Sequence, residues 1–231
     1  MKGEIMTELR QNTNYILIAK KQPITSKKSV YCAVKRGIDL LLSLLVMPIY
    51  LIIYVSVAAV VKLTDGGSVL YKSVRIGKDG KPFCMYKFRT MKINADKLED
   101  FLTPEELEKY KKEYKLENDP RVTVIGNILR KTSMDELPQI LNVIKNDMSL
   151  IGPRPVLDEE TLLYGKDRNI FLSVKPGLTG YWQAYARNDV GYADGRRQEM
   201  ELYYIKNRSL RVDAIIFFAT IGRVFSRKGV L

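Results

Sequence analysis

The chain has 231 residues, 46% of them hydrophobic, which is enough for one medium domain or two small ones and excludes disorder along its whole length. A formal charge of +12 implies an anionic partner: nucleic acid, a phosphorylated substrate or acidic lipid. There is no histidine, and the two cysteines, Cys32 and Cys84, lie far apart, so Ser/His triads, most zinc sites and a disulfide scaffold are excluded and a reducing compartment fits.

In chain order, residues 1–34 read as a loosely ordered basic arm, with lysines at 20, 21, 27 and 28. The run Leu40 to Val61 then has 22 residues without a charge, and a straight helix of that length, at about 1.5 Å per residue, would just span a bilayer core. Lys35 and Arg36 precede it, while Lys62, Lys72 and Arg75 follow it, and cationic flanks on both sides favour both ends in the cytoplasm. Pro48 near its middle would interrupt a helix. A helix-break-helix that enters one leaflet and returns satisfies both observations; a plain transmembrane helix fits the length as well. The chain therefore divides into an arm (1–34), a membrane helix (35–62) and a cytosolic-face domain (63–231).

Residues 66–91 read as short strands around a turn at Lys78-Asp79-Gly80-Lys81. Thr103-Pro104-Glu105-Glu106 is a helix start, with Leu107, Tyr110 and Tyr114 on one face of the helix that follows. Further helices are expected at about 136–145, 156–164 and 195–206, with turn-rich connections at NDPRVT, IGPRP and KPGLTG. The apolar segment from Val212 to Phe225 should be a helix on the membrane face or in the core. The expected fold class is α+β: a small membrane-associated catalytic domain with one N-terminal re-entrant helix and surface amphipathic helices.

The stretch TSMDELPQ, residues 132–139, places Asp135 beside Glu136. Ser133 with Glu136 fits a capping box, and acidic residues are ordinary in a first helical turn. Pro138 favours a cap at Asp135 instead, since it would then lie in the first turn. Either register puts both carboxylates at the positive end of a helix, where an ionised Asp can act as a nucleophile and its neighbour can hold Mg²⁺. Arg130 and Lys131 come just before the pair, and Arg154 lies between two prolines in GPRP, which could present its planar fork to a phosphate. Lys87, Arg89, Arg75 and Arg187 are further cations that serve equally well as solvated surface charges.

These residues together resemble the bacterial sugar transferases, the monotopic phosphoglycosyl transferases. The similarity is carried by KRGIDLLLS, SVLYKSVRIGKDGKPFCMYKFRTM, NDPRVTVIGNILRKTSMDELPQILNVIKNDMSLIGPRP, KPGLTGYWQAYARND and ELYYIKNRSLRVD, and covers nearly everything from Lys35 onward. The resemblance implies an enzyme on the cytoplasmic face of the cell membrane. It would move sugar 1-phosphate from a UDP-sugar to undecaprenyl phosphate, releasing UMP, as the first membrane step of exopolysaccharide or capsule synthesis. It further implies Asp135 as the nucleophile of an aspartyl-phosphosugar intermediate, Glu136 as the Mg²⁺ ligand, and Lys87, Arg89, Arg130, Arg154 and Arg187 as binding groups for phosphates and nucleotide. Anionic membrane lipids are the other expected partner, and oligomers are permitted. The chain departs from the family where members carry a Ser-Pro pair in the membrane helix: Leu51-Ile52 stands there, one turn after Pro48. The competing readings are a non-catalytic basic membrane scaffold for glycan-assembly enzymes and, with little support from scattered basic residues, a nucleic-acid binder.

Overall fold

A computed structural model describes residues 28–113, 116, 119–186 and 195–226. The arm expected at 1–34 lies outside them up to residue 27, as do Tyr114 and Arg187.

The first described element is a long helix, α1 (Lys28–Asp65), and its segment Val30–Leu63 is long and apolar enough to cross a membrane by length and composition. The break expected at Pro48 is not there: α1 continues through it, and the missing N–H leaves one intrahelical bond unmade. One face of α1 packs on the rest of the protein: Asp39, Ser43, Tyr50 and Val61 are buried, at spacings of four, seven and eleven residues. Leu41, Leu45, Ile49, Ile52 and Val55 remain exposed.

Polar tethers fix the start of α1. Asp39 accepts hydrogen bonds from the Ser149 hydroxyl (2.7 Å) and the Leu150 N–H (3.1 Å), while Arg36 donates to the carbonyls of Val143 (2.6 Å) and Ile144 (2.9 Å). Lys35 pairs with Asp213 at 2.8 Å, and Tyr31 donates to the same carboxylate at 2.9 Å. The two cations that precede the apolar run are thus bound to the domain.

The strands expected in 66–91 form an antiparallel hairpin of β1 (Leu70–Ile76) and β2 (Pro82–Phe88), in a register from Leu70 opposite Phe88 to Ile76 opposite Pro82. Its turn is at the expected Lys78-Asp79-Gly80-Lys81, with Asp79 and Gly80 in the left-handed region (φ 58° and 74°). The helix start at Thr103 is also present: Glu106 N–H donates to Thr103 Oγ1 and the Glu106 carboxylate accepts from Thr103 N–H, opening α2 (Pro104–Glu113). Within NDPRVT, Asp119 accepts two bonds from the Arg121 guanidinium (2.8 and 2.6 Å), which stacks over Tyr110.

A helix the sequence pattern did not announce follows, α3 (Val124–Lys131), capped by Thr123, whose side chain accepts from Gly126 N–H. The helix expected at 136–145 is instead a 3₁₀ turn, Met134–Gln139, leading into a short α4 (Ile140–Ile144). Ser133 does not cap it: it sits in the left-handed region (φ 55°) and makes no side-chain cap bond. The five residues of α4 supply little macrodipole, so the helix-end electrostatics expected for Asp135 and Glu136 are not what the fold provides.

Two short strands, β3 (Ser149–Ile151) and β4 (Gly177–Thr179), pair in parallel where only turns were expected. They bring GPRP against KPGLTG, backbone to backbone. A Cβ on Gly177 would lie 2.1 Å from Gly152 N, and one on Gly180 would lie 2.0 Å from the Gly152 carbonyl oxygen. Glycine is required there by contact alone. The helix expected at 156–164 is split into α5 (Asp158–Thr161), a 3₁₀ segment (Leu162–Asp167) and α6 (Arg168–Phe171). After α7 (Tyr181–Ala186), the expected helices at 195–206 and 212–225 are α8 (Arg196–Asn207) and α9 (Leu210–Ser226). The main core joins these C-terminal elements around Ile151, Val156, Tyr164, Phe171, Tyr204 and Ile216; a smaller cluster of Met85, Val143 and Met148 lies under the hairpin. The architecture is a mixed α+β domain with one long apolar helix.

Candidate active site

The 3₁₀ turn that carries the two carboxylates packs on β2, and buried Asn142 fixes that contact. Its amide oxygen accepts from Tyr86 N–H (3.0 Å) and its amide nitrogen donates to the Cys84 carbonyl (2.7 Å), extending the strand's hydrogen bonding with a side chain. This lock sets Lys87 opposite the turn. Lys87 Nζ donates to Glu136 Oε1 at 2.8 Å and lies 3.9 Å from Asp135 Oδ2. The carboxylates are only 13% and 21% exposed, and the Lys87 ammonium is a positive charge beside both of them.

Glu136 and Lys87 open onto a cavity of about 300 Å³. Its floor is apolar, with Met85, Leu137, Leu150, Ile151, Leu178 and Phe217, and its cations are Arg75, Lys87, Arg154 and Arg223. Four cations against one lining carboxylate, with Asp135 beside it, suit an anionic ligand. A mostly apolar cavity with a few convergent charges is the usual form of a small-molecule site.

Arg154 reaches this cavity from the turn after β3. Its backbone N–H donates to Glu201 Oε1 (3.4 Å), and its guanidinium lies 6.0 Å from the Trp182 ring centroid, while Arg197 lies 4.2 Å from the same ring. Burial pushes the Glu201 carboxyl up to about 7, against the opposing pull of Arg197, Arg154 and the Tyr164 hydroxyl. The buried Glu201 and Trp182 therefore hold the GPRP turn in place from behind.

Of the residues proposed from the sequence, the structure brings Asp135, Glu136, Lys87 and Arg154 together. Arg89 and Arg130 do not line the cavity. Arg89 follows the end of β2 and donates to the Ser68 carbonyl (2.6 Å), and Arg130 donates to Thr90 Oγ1 (2.9 Å). Arg187 lies outside the described residues. Sequence reasoning did not single out Arg223, Gln183, Thr179, Thr220 or Glu201. A signal for Arg223 was present: it is a charged residue inside the apolar run of the last helix. Nothing local marks Glu201.

Among the described residues no group of three or more carboxylate, Cys or His ligands forms a closed metal cage. Mg²⁺ commonly takes one or two carboxylates and fills its shell with water and substrate phosphates. The adjacent hard oxygens of Asp135 and Glu136 at a cation-lined cavity fit such a substrate-completed site.

Comparison with known proteins follows the same residues. The pattern of the bacterial sugar transferase family matches residues 30–227. The exopolysaccharide production protein ExoY of Sinorhizobium fredii is 43% identical over 198 residues, covering 84% of this chain and 87% of its own; that of Rhizobium meliloti is 44% identical over the same shares. The undecaprenyl-phosphate galactose phosphotransferase of Salmonella typhimurium is 40% identical over 202 residues, which cover 84% of this chain and 41% of that longer protein. A match across the long apolar helix, the hairpin, the dyad turn and both glycine-rich motifs leaves one conclusion: the chain belongs to the bacterial sugar transferase family and is a phosphoglycosyl transferase.

Proposed function

We propose that the protein transfers sugar 1-phosphate from a UDP-sugar to undecaprenyl phosphate at the cytoplasmic face of the membrane, beginning the synthesis of a surface polysaccharide. The observation that carries this reading is the Asp135–Glu136–Lys87 cluster at a cation-lined cavity, in a chain similar to a named undecaprenyl-phosphate galactose phosphotransferase. An Asp135 carboxylate oxygen attacks the phosphorus that bears the sugar. The bond from that phosphorus to the bridging oxygen breaks, and the oxygen leaves with UMP. An oxygen of undecaprenyl phosphate then attacks the same phosphorus, the Asp135–phosphorus bond breaks, and the free carboxylate returns. Two substrates from different phases thus use one cavity in turn.

Lys87 holds the two carboxylates in place and is near enough to follow charge onto the phosphoryl oxygens. Arg154, backed by Trp182 and Glu201, binds a phosphate of the donor. Glu136 would hold Mg²⁺, which when bound offsets the repulsion between a carboxylate and a diphosphate.

For the membrane topology we propose that α1 lies along one face of the membrane, with both of its ends on the cytoplasmic side. Tyr31, Lys35, Arg36, Asp39 and Tyr54 all contact the domain, Tyr54 through the Phe88 ring at 5.6 Å. Tyr31 and Tyr54 are 23 positions apart, about 35 Å along the helix. A helix leaving perpendicular to the domain could not make both end contacts, so the exposed stripe Leu41, Leu45, Ile49, Ile52 and Val55 is the lipid-facing side. Anionic lipids are drawn by the net positive charge.

The test is UMP release from a panel of UDP-sugars with undecaprenyl phosphate and Mg²⁺. One UDP-sugar should give turnover that stops when the lipid phosphate is withheld; no UMP from any of them sinks the reading. Val34→Cys and Asp65→Cys, made with Cys32 and Cys84 replaced by Ser, should both label from the cytoplasmic side only. Labelling from opposite sides removes the single-face topology.

A further inference from the structure

We infer that Arg223, on the cavity side of α9, binds the phosphate of the lipid acceptor, with Phe217 and Ile221 guiding its first isoprene units. The inference rests on the transferase reading and adds a residue and a direction of entry. The two substrates differ in one way that matters: the donor is polar throughout, whereas the acceptor is a single phosphate on a hydrocarbon. Its subsite therefore needs a cation beside an apolar wall that continues to the lipid phase.

The α9 helix has that composition. Phe217, Thr220, Ile221 and Arg223 all line the cavity within two turns, while Ile215 and Phe218, the latter 69% exposed, face outward. At its start α9 is joined to the membrane helix through Asp213, which binds Lys35 and Tyr31. The route from lipid to cavity thus runs along one element. The cavity's other cations come from other elements: Arg75 from β1, Lys87 from β2 beside the carboxylates of the dyad, and Arg154 from the GPRP turn.

Arg223 is also held in position. Its Nη1 donates to the Gln183 carbonyl (3.2 Å). One turn earlier, Thr220 donates to the Ile216 carbonyl (2.9 Å), so its oxygen accepts the Thr179 hydroxyl proton (2.9 Å), tying α9 to β4. A guanidinium fixed beside apolar side chains is well suited to a phosphate on a lipid.

The experiment uses the full chain in phosphatidylglycerol-containing nanodiscs. R223Q should raise KM for undecaprenyl phosphate about ten-fold and leave KM for the UDP-sugar within about two-fold, and R223K should recover part of the loss. An equal rise in both KM values, or no rise in either, overturns the assignment. A readout without turnover compares binding of undecaprenyl phosphate and undecaprenol to the Asp135→Asn protein. The phosphate should be preferred, and adding R223Q should remove most of that preference; the same preference in both proteins overturns the assignment. If the wild-type protein turned over no UDP-sugar but still showed an Arg223-dependent preference, the transferase reading would fail while the lipid-phosphate subsite stood.

Discussion

Lys35 and Arg36 at the head of the membrane helix, and Lys87 and Arg154 in the later motifs, are all cations in basic stretches next to apolar ones. In the folded chain the first two meet protein acceptors: Lys35 the Asp213 carboxylate, Arg36 the last carbonyls of α4. The other two line a cavity, Lys87 facing the dyad and Arg154 resting near Trp182. A cation's work is set by the acceptors the fold places around it. The first pair holds the long helix to the domain, and the second pair stands at the cavity.

That contrast can be broken by substitution. Asp135→Asn should lower UMP formation by at least about 10³-fold without changing the thermal midpoint by more than about two degrees, because it removes the nucleophile and little packing. Comparable activity in the variant would end its assignment as nucleophile. Lys87→Met should cost about 10²-fold in kcat/KM, since a positioned charge at the reacting phosphate is lost.

Lys35→Met is the counterpart on the tether side. Losing the partner of a buried carboxylate should destabilise the protein by about 2 kcal/mol, read from chemical denaturation in detergent, while kcat of the folded fraction stays near wild type. A drop in kcat without a loss of stability would put Lys35 in the catalytic machinery. Gly180→Ala should cost about 1–3 kcal/mol, because its Cβ would meet the Gly152 carbonyl at 2.0 Å. It should also raise KM for the UDP-sugar by moving Arg154.

The smallest effect is on pH dependence. Burial raises the Glu201 carboxyl from 4.5 to about 7, so across that window the folded state holds a proton that the unfolded chain has released. Its contribution to stability is full below pH 4.5 and is lost as pH rises through about 7. The thermal midpoint should therefore fall over this range in the wild type and fall less in Glu201→Gln. Identical slopes would show that Glu201 does not titrate there.

Local sequence features with their own physics were legible. The hairpin turn at Asp79-Gly80, the capping box at Thr103 and Glu106, and the apolar helix each depend on neighbours a few residues away, and each is present. The dyad turn is a 3₁₀ segment where the spacing predicts an α-helix start. Ser133 takes a left-handed conformation and Asn142 fastens the segment to β2, and neither contact is written in the spacing. The strands at 149–151 and 177–179 escaped for a similar reason: three residues carry no periodicity, and their pairing is parallel and distant.

The sequence by itself determined the long apolar helix, the acidic pair and the family, because length, charge order and linked motifs survive without coordinates. Only the tertiary structure decided which cations face the cavity. Lys87, Arg154 and Arg223 come from segments far apart in the chain, and Arg89, two residues from Lys87, is turned to the Ser68 carbonyl instead. Electrostatic interaction falls with distance in space rather than in sequence, so the role of each charge was fixed when β2, the β3–β4 pair and α9 closed around one cavity.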